Sequence, residues 1–312
     1  MLPKYFVYLF FFFCYSSVLF AQNFEQVDER ALSYTKQFSS PEELAGQIAK
    51  DFKTDVERVR AAYTWIAYYI TYDIEESNFP SYSYSTEEER LWRELQYSKR
   101  LSKRVISRRK AVCQGYSYLF RAVCTALNIE TTIVTGASKT LTRDIGKRYN
   151  SNHAWNSIIL NNQKYLIDVT WASQRDQSNI KYVNDYYFMT SPEDFILSHY
   201  PDNYNDALLN KVVSKQEFLN APLLHDYDSS IVKLIQPQSG ISSKGSNTIF
   251  TLDVAHPVTW VQIEMGKEHI NIKEYTHQDK KLQFDFEIPK DTRAREITLY
   301  INGIPIVSYA LR

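Results

Sequence analysis

The sequence predicts an α+β protein in two parts: helices and an antiparallel sheet over residues 22–222, then a separate all-β unit over 223–312. Three observations carry this expectation. Helix-start signals followed by apolar stripes of 3.6-residue period fill the first half. Asn161-Asn162 separates two β-rich runs as a two-residue turn would. Beyond residue 222 the chain breaks into short, alternating runs punctuated by Gly, Pro, Asn and Asp.

Composition sets the frame for each element. At 312 residues and 44% hydrophobic content the chain is long enough for two cored domains. Its 36 basic residues are matched by 36 acidic ones, so charge implies neither a nucleic-acid partner nor an anionic membrane. Aromatic residues make up 15%, with 24 Tyr, which suits a surface that handles peptide or glycan.

Residues 1–21, MLPKYFVYLFFFFCYSSVLFA, combine one Lys, an apolar run and a terminal small residue, the pattern of a secretory signal peptide. An uncleaved anchor is the alternative, because Leu19 is imperfect for cleavage. Cys14 follows three Phe and lacks the small-residue setting of a lipoprotein cysteine. The expectation is an exported chain, periplasmic or secreted, with no membrane span once the signal is removed. Export sharpens the meaning of Cys113 and Cys124, since an oxidising compartment pairs cysteines that can reach each other. Eleven residues apart on one helix they would stand about 16 Å apart, beyond the 7 Å or so that a disulfide spans.

The elements follow in order. Ser40-Pro41-Glu42-Glu43 opens one capped helix, and Thr54-Asp55-Val56-Glu57 opens a second with Val59, Ala62, Tyr63, Ile66, Ala67 and Ile70 as its apolar stripe. Residues 74–85 have no period and read as a loop; residues 86–110 are charged and helix-prone, a solvated face rather than a polyanion patch. In AVCQGYSYLFRAVCTAL (111–127), Tyr116, Leu119, Phe120, Val123 and Leu127 define an inward face, with Cys113 at the helix mouth and Gly115 open to close approach. Unpaired amides and the positive helix end at that point favour a thiolate. A small buried hydrophobe is the plainer reading of such a cysteine.

After this helix the texture turns to strands. ETTIVTG (130–136) is one, 137–152 a loop, and NHAWNSIIL-NN-QKYLIDVTW a hairpin. With Asn161-Asn162 as a type I′ turn, Leu160 pairs with Gln163 and paired residue numbers sum to 323. Extended to its end, that register sets Trp155 opposite Asp168 and His153 opposite Thr170, so His153 and Asp168 become diagonal neighbours on one face. Thiol, imidazole and carboxylate are the parts of a thiol acyl-transfer site, in the order Cys113, His153, Asp168.

Here the chain resembles the transglutaminase-like superfamily, the papain-related fold in which a Cys helix packs on a sheet carrying His and Asp. The resemblance lies in AVCQGYS, NHAW and YLIDVTW, in the upstream WIAYYITYD, and in YYFMTSPEDFILSHYP, which looks like the tail of bacterial members related to the kyphoscoliosis-peptidase branch. It covers Glu25 to roughly Asn220. It implies Cys113 as nucleophile, His153 as base or ion-pair partner and Asp168 as its orienting group. The implied chemistry is attack on an amide carbonyl of protein or peptide to give a thioester, completed by water in a peptidase or by a lysine amine in a cross-linking transglutaminase. The oxyanion would rest on the Cys113 amide and a second donor. Trp65, Tyr72, Gln114 and Trp155 are the substrate-binding or oxyanion candidates, with Trp155 and Trp171 flanking the pair as packing that excludes water. No loop of alternating acidic residues offers a calcium site, so neither metal nor cofactor is expected. A catalytically silent scaffold that recruits a partner through its second unit is the competing reading.

The second unit holds seven runs, 231–235, 248–254, 258–265, 270–275, 282–288, 296–301 and 304–311. Their alternation and the Asn302-Gly303 hairpin signal predict an immunoglobulin-like β-sandwich. His256, His269 and His277 are scattered there as surface residues rather than metal ligands. Positioning or docking of a protein partner is the work expected of this unit.

Overall fold

The structure is a computed structural model that describes residues 24–75, 85–176, 178–225 and 229–312. The expected signal peptide and most of the 74–85 loop lie outside the described residues. Five helices build the first layer: α1 (Glu25–Leu32), α2 (Pro41–Asp51), α3 (Asp55–Tyr69), α4 (Glu87–Arg108) and α5 (Cys113–Ala126). Their starts follow the expected chemistry. Ser40 accepts the Glu43 amide, with Pro41 at the first helical position. At α3 the box is reciprocal: Thr54 Oγ1 accepts the Glu57 N–H at 3.4 Å while Glu57 accepts the Thr54 N–H at 3.0 Å. Thr86 caps α4, which ends at Arg109 in the left-handed region.

Among the described residues nine strands belong to this unit: β1 (Thr71–Tyr72), β2 (Lys110–Ala111), β3 (Thr131–Ser138), β4 (His153–Leu160), β5 (Gln163–Ile167), β6 (Ser173–Arg175), β7 (Lys181–Val183), β8 (Phe188–Thr190) and β9 (His199–Pro201). The main sheet runs β8-β5-β4-β3-β9, antiparallel throughout. Tyr116, Leu119, Phe120 and Val123 of α5 are buried with Val134, Trp155, Ile158 and Ile167 of the sheet in one core. That apolar stripe anchors α5 and so fixes where its first residue stands.

The hairpin register is the expected one, Leu160↔Gln163 through Asn156↔Ile167, and both turn residues have positive φ, 50° and 61°. It stops one residue short of Asp168. β5 ends at Ile167, and Val169–Ala172 forms a single helical turn, α6, so Asp168 does not pair with Trp155. Asp168 is instead the cap of that turn: its Oδ1 accepts the N–H groups of Thr170 and Trp171. A side chain that satisfies two helix-start amides competes with the ladder at this point, and here it wins.

Beyond residue 222, among the described residues, ten strands form a β-sandwich: β10 (Leu223–Leu224), β11 (Val232–Gln236), β12 (Ile241–Ser242), β13 (Asn247–Val254), β14 (Val261–Met265), β15 (Glu268–Asn271), β16 (Thr276–Gln278), β17 (Lys281–Glu287), β18 (Glu296–Ile301) and β19 (Ile304–Leu311). One sheet runs β10-β19-β18-β14-β15 with β12 on β19, the other β11-β13-β17-β16. Alternating residues of both close over one core, with Phe250 and Phe284 stacked 4.9 Å apart. The three short strands β10, β12 and β16 are additional to the seven runs read from sequence. No helix among the described residues is long and apolar enough to cross a membrane.

Candidate active site

Three elements converge at the mouth of α5. Cys113 is its first residue, and Val112 before it offers no side-chain cap, so the first-turn amides point outward without helical acceptors. Gly115 admits the neighbouring chain: a Cβ there would lie 2.5 Å from the Ala111 Cβ. The Ser117 hydroxyl, one turn on, lies 3.0 Å from the Cys113 carbonyl and 2.9 Å from the Ala154 carbonyl, bridging the cysteine turn to the start of β4. Asn156 Nδ2 donates to the Ser117 carbonyl at 3.1 Å and strengthens the same joint. The residue before Ala154 is His153, which opens β4.

His153 Nε2 lies 2.6 Å from Asp168 Oδ2, both residues buried. Burial alone would discharge the ring, but the Asp168 carboxylate, aided by the Cys113 thiol, reverses this and raises the His153 pKa to about 10. With Nε2 held by the carboxylate, Nδ1 is the ring nitrogen left for the sulfur. Burial works against the Asp168 charge too, yet the imidazoles of His153 and His199 hold its carboxyl well below the usual carboxylate range. Cys113 is 5% exposed and unpaired, as is Cys124, which is fully buried and whose thiol burial pushes up to about 12. Cys113 lies against the His153 imidazole, whereas Cys124 lies in the apolar core.

The remaining expected residues divide. Trp155 is buried with its ring stacked on His153 at 6.0 Å, and Trp171 lies against the same imidazole at 5.7 Å. Tyr72, 48% exposed, sits on β1 beside β2; burial, then the charges of Cys113 and Asp168, raise its hydroxyl pKa, so it borders the site. Gln114 turns its Oε1 to the Tyr97 hydroxyl at 3.0 Å. Trp65 is a correction: it is fully buried among Phe38 and Tyr69, and its indole N–H donates to the Thr35 carbonyl at 3.3 Å, so it belongs to the helical core and not to the oxyanion pocket.

One residue went unread in the sequence. His199, on edge strand β9, brings its Nε2 to 3.0 Å from the same Asp168 Oδ2. The available signal was a histidine in SHYP, a short run ended by Pro201 as an edge strand allows. Gly136, paired with His153 on one side and Pro201 on the other, makes the approach possible, since a Cβ there would meet the Tyr200 carbonyl at 2.1 Å and the Trp155 ring at 2.7 Å. His153, Asp168 and His199 are also residue types that hold metals, and their ligand atoms lie within 4.8 Å of one another. Both ring nitrogens point at one carboxylate oxygen at hydrogen-bond length, so these atoms are already engaged with each other.

A cysteine at a helix mouth, an imidazole at a strand start and a carboxylate at the end of the next strand is the arrangement of the transglutaminase-like superfamily, and residues 42–168 match that family's model. The chain thus carries a transglutaminase-like domain, followed by the sandwich. Over most of its length it is similar to kyphoscoliosis peptidase. It is 28% identical to the mouse protein over 269 residues, 83% of this chain and 38% of that one, and 28% identical to the human protein over 271 residues, 84% and 38%. The Lim and transglutaminase domain protein ltd-1 of Caenorhabditis elegans is 21% identical over 221 residues, 64% of this chain and 28% of that one. The chain spans 38% of the length of the two kyphoscoliosis peptidases.

Proposed function

We propose that this protein is an exported thiol enzyme that hydrolyses amide bonds of protein or peptide through a thioester. The observation that carries the reading is the His153–Asp168 pair at 2.6 Å, with the Cys113 thiol acting on the same ring. In this reading the Cys113 proton already rests on His153, so that a thiolate faces an imidazolium, and the sulfur adds to the amide carbonyl carbon. The oxyanion is met by the Cys113 N–H at the positive end of α5. The C–N bond breaks, and His153 gives its proton to the departing amine. Water then adds to the thioester as His153 accepts its proton, the C–S bond breaks, and the carboxylic acid leaves with the Cys113 thiolate and His153 imidazolium restored. Asp168 keeps the imidazole aimed throughout. The similarity to proteins named kyphoscoliosis peptidase supports hydrolysis over amine transfer. Residues 1–21 support export, and the sandwich is assigned the docking of a protein partner.

The test is alkylation by iodoacetamide, followed by peptide mapping so that Cys14, Cys113 and Cys124 are read separately. Cys113 is expected to label at least tenfold faster than Cys124, and His153→Ala to slow it. Equal, sluggish labelling of the two sinks the enzymatic reading. A peptide library incubated with the protein, with and without an amine donor, then separates cleavage from cross-linking by product mass.

A further inference from the structure

Asp168 is held from four directions. Its Oδ1 accepts the N–H groups of Thr170 at 2.8 Å and Trp171 at 3.0 Å, and its Oδ2 faces the Nε2 atoms of His153 at 2.6 Å and His199 at 3.0 Å. An ionised carboxylate has about four acceptor directions, so every one is filled, and the fourth by a residue the acyl-transfer scheme does not use.

The protonation of His199 follows from its partners. A carboxylate oxygen only accepts, so Nε2 of His199 carries a proton. Its Nδ1 lies 2.7 Å from the Ser198 hydroxyl. With the ring neutral that nitrogen is bare and the hydroxyl donates to it. The ring is 1% exposed, stacked on Phe195 at 4.1 Å and packed against Trp171 at 4.4 Å, with Trp155 and Tyr187 further out. Burial pushes His199 down to about 4, against the pull of Asp168, whereas His153 on the same oxygen is raised. Two imidazoles therefore share one carboxylate unequally, one neutral and one charged. The titratable groups around the pair are Asp168, Cys113 beside His153, Tyr187 beside His199, and the hydroxyls of Tyr63, Tyr72 and Tyr116, which feel the Asp168 charge.

We propose that His199 is a positioning residue that acts through Asp168, its neutral N–H drawing off part of the carboxylate's charge and so limiting how tightly Asp168 holds the His153 proton. The physical basis is that two N–H dipoles aimed at one oxygen repel, so the second donor weakens the first. A base that must also return its proton to a leaving amine works best when its affinity is not extreme. The inference rests on the acyl-transfer reading for the use of that proton, but its test does not require turnover.

The experiment is NMR titration of the His153 ring in the full chain, with the pH profile of Cys113 alkylation as a second readout. His199→Phe keeps a ring between Phe195 and Trp171 but removes the donor. It is expected to raise the His153 midpoint by half a pH unit or more and to move the acid limb of alkylation down, widening the range in which thiolate and imidazolium coexist. His199→Gln, which restores an N–H donor, returns both toward the native values. Ser198→Ala leaves the ring in place but no longer polarises it, and gives a smaller shift of the same sign. Mere structural damage would narrow that range. An unchanged His153 midpoint in both His199→Phe and Ser198→Ala, or a downward one, overturns the proposal. A Cys113 that fails to react sinks the enzymatic reading alone, because the His153 midpoint still decides the role of His199.

Discussion

In the sandwich the buried polar side chains are Ser242, Thr251 and Ser308, and among the described residues no charged or imidazole side chain of that unit is buried. The first unit buries Arg60, Lys139, His153, Asp168, Asp194 and His199. Burying a charge costs several kcal/mol unless it is paired or hydrogen-bonded, so the two regions are built to different ends. Arg60 is held by a fork to Asp28 and a further bond to Asp185, under the rings of Phe24, Tyr63 and Phe188. Asp168 is held by four donors. Among the described residues Lys139 has no carboxylate partner: its Nζ donates to the carbonyls of Phe218 at 2.8 Å, Ala221 at 3.0 Å and Pro222 at 3.3 Å, where the chain passes into the sandwich. The comparison teaches that tight apolar packing serves the sandwich, while placed charge is confined to the unit that carries the candidate site.

The sharpest way to break that contrast is a matched pair of substitutions. Phe250→Ala removes a fully buried ring from the sandwich core and is expected to cost about 3–5 kcal/mol. Asp168→Ala leaves two buried imidazoles and two amides without their acceptor and is expected to cost a similar 3–5 kcal/mol. Urea unfolding should not tell them apart, but Cys113 alkylation should: it slows in Asp168→Ala and is unchanged in Phe250→Ala. Slowing in both would mean that the sandwich core tunes the site.

A smaller effect concerns the sign of the pH dependence. Raised to about 10, His153 binds its proton more tightly in the folded chain than in the unfolded chain, so its contribution is complete below about 6.5 and is lost as pH climbs toward 10. Lys139, which burial pushes down to about 7, works the other way: the folded chain binds fewer protons there between about 7 and the ordinary lysine value, and stability rises with pH. Lys139→Met removes the opposing slope, so its unfolding free energy, read from urea titrations, should fall more steeply than the native one between pH 7 and 10, by up to about 1.4 kcal/mol per pH unit. Parallel slopes would show that Lys139 keeps its charge in the carbonyl cage. The smallest effect expected is at the hairpin. Asn162→Gly supplies the Asn-Gly pair that type I′ turns favour, and should change stability by less than about 1 kcal/mol and leave alkylation untouched.

Much of this molecule was decided locally, and those parts could be read from the chain. Helix caps at Ser40 and Thr54, the apolar stripe of α5 and the Asn161-Asn162 turn depend on residues within a few positions of each other, where propensity and hydrogen-bond chemistry act without help. Hairpin pairing follows from the turn, so the neighbourhood of His153 and Asp168 was legible, although the escape of Asp168 from the ladder into a cap was not. Trp65 was misread because its spacing on α3 says only that it faces inward, not toward which neighbour. The approach of His199 depended on β9 returning to the far edge of β3, with Gly136 small enough to let it close. That is a contact between distant segments, set by how layers pack, and no local period encodes it. Sequence alone determined the capped helices α2 and α3, the apolar stripe of α5 and the hairpin, and singled out Cys113, His153 and Asp168 as candidates; tertiary packing decided that His199 shares the Asp168 carboxylate, because only the closed sheet brings its edge strand to that oxygen.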